Sequence, residues 1–153
     1  MTEYSLFPER SLLDGVVLYK LLVQLQEDGK HMPTIGDVGA DIPCQTDQVI
    51  TGGAVGYKLD LKVRCQLIDI VSGKPSPFML LPKSSTGIKT PLRQSNCIEV
   101  IDARHTGNLV WIVDNPSLLD FKVNEGWSYV QIIPYIVHPI SYIFPVPAED
   151  DSE

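Results

Sequence analysis

Residues 54–70 read AVGYKLDLKVRCQLIDI, and no other stretch restricts the fold as strongly. Val55, Tyr57, Leu59, Leu61, Val63, Cys65 and Leu67 alternate with Lys58, Asp60, Lys62, Arg64 and Gln66. A period of two over this length predicts a long β-strand with one wet face. The apolar parity flips at Leu67–Ile68, which predicts a bulge or a change of sheet there. Further short strands are expected at 16–25, 78–81, 97–101, 109–113, 119–123 and 129–133, each bounded by Gly, Pro, Asn or Asp. Twelve prolines and eleven glycines spread between such runs suit an all-β sandwich or barrel. A helix fits only LLDGVVLYKLLVQLQ, where Gly15 and the β-branched residues weaken it.

At 153 residues the chain is expected to form a single domain over 1–147, followed by an acidic, disordered tail at 148–153. The net charge of −7, with no basic stripe, argues against sequence-independent nucleic-acid binding. Cys44, Cys65 and Cys97 are odd in number and lack CxxC spacing, so the expectation is three small buried thiols in a reducing compartment. No apolar run approaches a membrane span, and MTEYSLFPER lacks the pattern of a signal peptide. A soluble intracellular protein is expected.

The stretch PKSSTGIKTPLRQSNCIEVIDARHTGNL (82–109) places hydroxyls, backbone N–H groups and cations just before a short strand that ends in a carboxylate. Those groups suit a polyphosphate, and the carboxylate suits a metal or a water. With GDVGADI (36–42), PKSSTGIK (82–89), NCIEVIDARHTGN (96–108) and GWSYVQI (126–132), the sequence resembles the trimeric dUTPases over about residues 17–145. The four motifs stand in that family's order and spacing. KTPLRQSN bridges the second and third as in many viral members.

The resemblance implies a homotrimer of jelly-roll-like subunits with active sites between chains, where dUTP binds with Mg²⁺ and water attacks the α-phosphorus. In such chemistry the protein positions the triphosphate, neutralises it and orients one water. By the same resemblance Asp102 accepts the proton of the attacking water, and Asp41 holds Mg²⁺ through its water shell. Ser84, with the backbone of Ser85, Thr86 and Gly87, forms the phosphate-binding turn, where Gly87 lets the main chain approach closely. Asn96 lies at the uracil hairpin, His105 stands where a tyrosine packs on the deoxyribose, and Gln131 faces phosphate from a neighbouring chain. Each residue has an ordinary structural reading too: an Asp before a loop caps a turn, and Ser/Thr/Gly runs are common turns.

Five departures from the family pattern bear on activity. Glu99 replaces the glycine that lies beside the base. His105 and Thr106 replace Tyr-Arg, Lys83 replaces an arginine and its bidentate fork, and Trp127-Ser128 replace a charged pair. The Gly-rich fifth motif, a lid over the triphosphate, has no counterpart in YIFPVPAEDDSE. Phe144 there is expected to pack within the trimer.

Three readings stand open from sequence. The first is a catalytically degenerate trimer acting as a structural or interaction component, associated with virions or viral structural proteins in the cytoplasm or nucleus of an infected cell. The second is an active, Mg²⁺-dependent dUTP diphosphatase. The third is a nucleotide-binding regulator that does not hydrolyse. Neither nucleic acid nor membrane is an expected partner.

Overall fold

Alternation reports which side of a strand faces the core, and the computed structural model shows how two sheets share one alternating segment. The structure describes residues 18–26, 28–135 and 140–147. The segment 54–70 is two strands, β5 (Tyr57–Asp60) and β6 (Val63–Asp69), and not the single long strand expected. The break falls at Leu61–Lys62, where Lys62 takes a φ of 56° and its N–H donates to Asp60 Oδ1 at 2.8 Å. Leu59, Leu61, Val63, Cys65 and Leu67 are nonetheless all buried in one core, so the pattern runs unbroken through a change of sheet.

Nor is β6 interrupted at the parity flip. Its antiparallel register with β1 (Tyr19–Leu25) continues through Leu21↔Leu67 and Lys20↔Ile68. Ile68 turns to the opposite face, where it packs with Leu22 and Phe144 in a second, smaller cluster. Apolar residues on both faces of the sheet produce the flip, not a bulge in β6.

The remaining strands are β2 (Thr34–Ile35), β3 (Ala40–Pro43), β4 (Gln48–Ile50), β7 (Pro75–Ser76), β8 (Phe78–Pro82), β9 (Arg93–Gln94), β10 (Glu99–Ile101), β11 (Val110–Asp114), β12 (Phe121–Val123), β13 (Ser128–Pro134) and β14 (Ile140–Pro145), with one short helix, α1 (Ser84–Lys89). They form sheets ordered β14-β1-β6-β7, β10-β8-β13-β3-β2, β5-β11-β9 and β12-β4. Most pairs are antiparallel; β1 and β14 run parallel. The helix considered for 12–26 is strand where described, over Tyr19–Leu25. The expected tail at 148–153 lies outside the described residues.

The main core runs from Tyr19 to Ile140 and is centred on the fully buried Trp111, Phe78, Leu80, Ile42 and Ile132. Trp111 keeps its indole N–H satisfied by donating to Gln94 Oε1 at 2.9 Å. Cys44 and Cys65 are buried, and burial pushes the Cys44 thiol up to about 12 and Cys65 upward as well. Cys97 departs from expectation: it is exposed, at a φ of 58° in the turn between β9 and β10.

Candidate functional site

The five-stranded sheet separates the candidate residues into two groups. In its register Gln131 stands opposite both Asp41 and Leu81, whereas Glu99 stands opposite Leu80. Neighbouring residues of a strand point to opposite faces. Leu80 is fully buried, so Glu99 shares the inner face, and Gln131 and Asp41 share the outer one.

The outer group is built around an ion pair. Asp41 Oδ2 lies 2.8 Å from Lys83 Nζ, with the two side chains only 21% and 30% exposed. The GDVGADI turn is locked beneath Asp41, since a Cβ on Gly39 would lie 1.9 Å from the carbonyl oxygen of Ile132. Gln131 Nε2 donates to the carbonyl of Pro82 at 3.4 Å.

Lys83 leads into α1, so the Ser84–Gly87 segment is the start of a short helix, not the turn expected from sequence. Thr86 is buried and donates its hydroxyl to the carbonyl of Tyr129 at 2.6 Å, which commits it to the fold. Ser84 is exposed and Ser85 half-buried. A Cβ on Gly87 would meet nothing within 4 Å, so packing within the chain does not require glycine there.

Asp41 is the carboxylate that the resemblance assigns to Mg²⁺. Mg²⁺ is held by carboxylate oxygens and waters in near-ideal octahedral geometry, but the Asp41 carboxylate is already paired with an ammonium. Among the described residues no group of three His, Cys, Asp or Glu side chains is placed to share an ion.

The inner group surrounds a cleft of ≈ 230 Å³ between the hairpin that carries β10 and the solvent side of β5 and β11. Its walls are Ile101, Val110 and Ile112, and its polar lining is Lys58, Glu99, His105 and Asn108. Asn96 donates its amide to Glu99 Oε2, which fixes the carboxylate at the hairpin. His105 sets Nε2 3.2 Å from the carbonyl of Asn108, and Asn108 Nδ2 donates to Asp60 Oδ1 at 3.2 Å.

Asp102 follows β10 and is exposed. Its Oδ1 accepts the N–H of Arg104 at 3.0 Å, and its carbonyl accepts the N–H of His105 at 3.0 Å. That geometry is a turn closed by its own aspartate.

Sequence reasoning missed three contributors. Gln94 ties the hairpin together, donating to the carbonyls of Leu80 and Cys97 while accepting from Trp111. Lys58 and Asn108 complete the cleft lining. The available signal for Lys58 was its place on the wet face of the alternating segment. Gln94 and Asn108 lie inside KTPLRQSN and NCIEVIDARHTGN, but neither charge nor period singled them out. At the hairpin base the Ser95 hydroxyl donates to Asp114 Oδ1 at 2.5 Å and the Gly56 N–H does so at 2.8 Å. These bonds, the hydroxyl's first, hold the Asp114 carboxyl below the usual aspartate range.

The sheets and their connections define a dUTPase-like all-β fold. Among solved structures the chain resembles the dUTPase of Staphylococcus bacteriophage 80alpha, at 18% identity and a TM-score of 0.62 over 87% of this chain and 97% of that one. The same phage enzyme with dUPNHPP matches at 18% identity and a TM-score of 0.62, over 87% and 89% of the two chains. A mutant dUTPase from phage phi11 of S. aureus, whose structure describes the coordination of a structural Mg(II) ion, matches at 20% identity and a TM-score of 0.61, over 86% and 97%. No family model and no curated protein sequence matches the chain.

Proposed function

We propose that this chain is a dUTPase-fold protein that has lost nucleotide hydrolysis and acts as an interaction component, assembled as a homotrimer. The observation that carries the reading is Glu99: a carboxylate, fixed by Asn96, lines the cleft where the resemblance puts the uracil base. Negative charge at that point repels a triphosphate and fills the space beside a base. Two further contacts agree with it. The Asp41–Lys83 pair occupies the carboxylate that would serve Mg²⁺, and the Thr86 N–H donates to the carbonyl of Lys83 at 3.0 Å.

The trimer is supported by the outer face of the five-stranded sheet, where Val100, Met79 and Ile133 form a row in register, with Val100 55% exposed. Such a row suits burial against further copies. The viral-type KTPLRQSN segment and the phage enzymes among the structural neighbours support an infected cell as the setting, with viral structural proteins as partners.

One observation favours the rival reading of an active dUTP diphosphatase: Asp102 stays exposed at the end of β10, beside Ile101 of the cleft. A pyrophosphate-release assay with dUTP and Mg²⁺, run beside dCTP and UTP, separates the two. Background release from wild type and Asp102→Asn alike is the expected outcome. Turnover of about 1 per second or more, abolished in Asp102→Asn, overturns the reading.

A further inference from the structure

The cleft sets one carboxylate, Glu99, and one ammonium, Lys58, on aliphatic walls. Glu99 gives one carboxylate oxygen to Asn96, and its Oε1 has no hydrogen bond among the described residues. Asn108 orients its amide by donating to Asp60, which leaves its Oδ1 buried and without a donor. Asn108 Oδ1 is closed to solvent, so Glu99 Oε1 is the acceptor of this pair that is left for a ligand at the cleft. The side walls are aliphatic, Ile101, Val110 and Ile112, and the volume of ≈ 230 Å³ admits one long side chain.

A guanidinium offers several N–H donors in a planar fork and meets carboxylates bidentately, while its three-carbon stem lies well on apolar walls. We propose that this cleft receives an arginine side chain of a partner polypeptide. The proposal rests on the reading of the chain as an interaction component and names what that component recognises. Lys58, on the same lining, forms no ion pair among the described residues and opposes a bare cation. It selects an arginine that carries an acidic neighbour in the same peptide. The net charge of −7 on the chain adds long-range attraction for a basic partner.

The probe is a blocked Arg-Asp dipeptide titrated into the full-length protein and followed by backbone and methyl NMR. Blocked citrulline-Asp and dUMP serve as comparators. Expected are saturable shifts at Ile101, Val110 and Ile112 with the arginine peptide, and binding about tenfold weaker for citrulline and for Glu99→Gln. Lys58→Ala should bind Arg-Asp less well and Arg-Ala better. Equal binding of the arginine and citrulline peptides, or no shifts at these three residues, overturns the proposal. Loss of arginine binding with dUTP cleavage still at background removes this inference alone, whereas dUTP cleavage removes the reading beneath it.

Discussion

Lys83 Nζ stands 2.8 Å from Asp41 Oδ2, and that one contact joins two motifs which a nucleotide site would keep free for ligands. Both side chains are largely withdrawn from water, so the pair lies between a surface ion pair, worth little, and a buried one whose breakage is costly. Lys83→Met should lower stability by about 1–2 kcal/mol, and Asp41→Asn by less, because the Lys83 ammonium it leaves unpaired sits on the longer, more exposed side chain and can reach water. Urea titration of both single variants and the double variant gives the coupling. Independent, additive effects would show that the two side chains do not act on each other.

The row Val100–Met79–Ile133 predicts what holds the assembly together. Ile133→Lys places a cation at the β13 end of that row, where burial against another copy strips its water. Sedimentation at micromolar concentration should show a trimer for wild type and mainly monomer for Ile133→Lys. A wild-type monomer, or a variant that still sediments as a trimer, contradicts this use of the face.

Asp114 predicts an acid limit for the hairpin beside the cleft. Its carboxyl is depressed in the folded chain, chiefly by the Ser95 hydroxyl and then by the Gly56 N–H. A depressed carboxyl contributes stability that is present above the unfolded value of about 4 and lost as the pH falls through the folded value. Asp114→Asn should therefore lie below wild type in melting temperature near neutrality and converge with it below about pH 4. A gap that stays constant down to pH 2 or so would mean the carboxylate's charge has no part in it.

Much of the fold was legible because alternation and turn residues are local signals. The Leu59-to-Leu67 set reached the core as its period required. The sheet change at Lys62 was invisible, since a residue with positive φ can sit on the wet face without disturbing the apolar count. The second cluster of Leu22, Ile68 and Phe144 depends on the parallel pairing of β1 with β14, a contact between distant parts of the chain that no window of sequence contains. In the site, motif order located Asp41, Ser84, Asn96, Glu99 and Asp102. The partner that decides the chemistry of Asp41 is Lys83, and the Tyr129 carbonyl takes the hydroxyl of Thr86. Both arise where β8, β3 and β13 meet, and only the folded sheet supplies them.

If Glu99 closes the cleft to nucleotides, its removal should open it. Calorimetric titration of dUTP into wild type and Glu99→Gly tests it directly, because the substitution removes the carboxylate and the Asn96 contact while leaving Ile101, Val110 and Ile112 in place. The prediction is no measurable heat for wild type and saturable binding with a dissociation constant of about 1 mM or tighter for Glu99→Gly. Equal binding by the two proteins, or none by either, would contradict it.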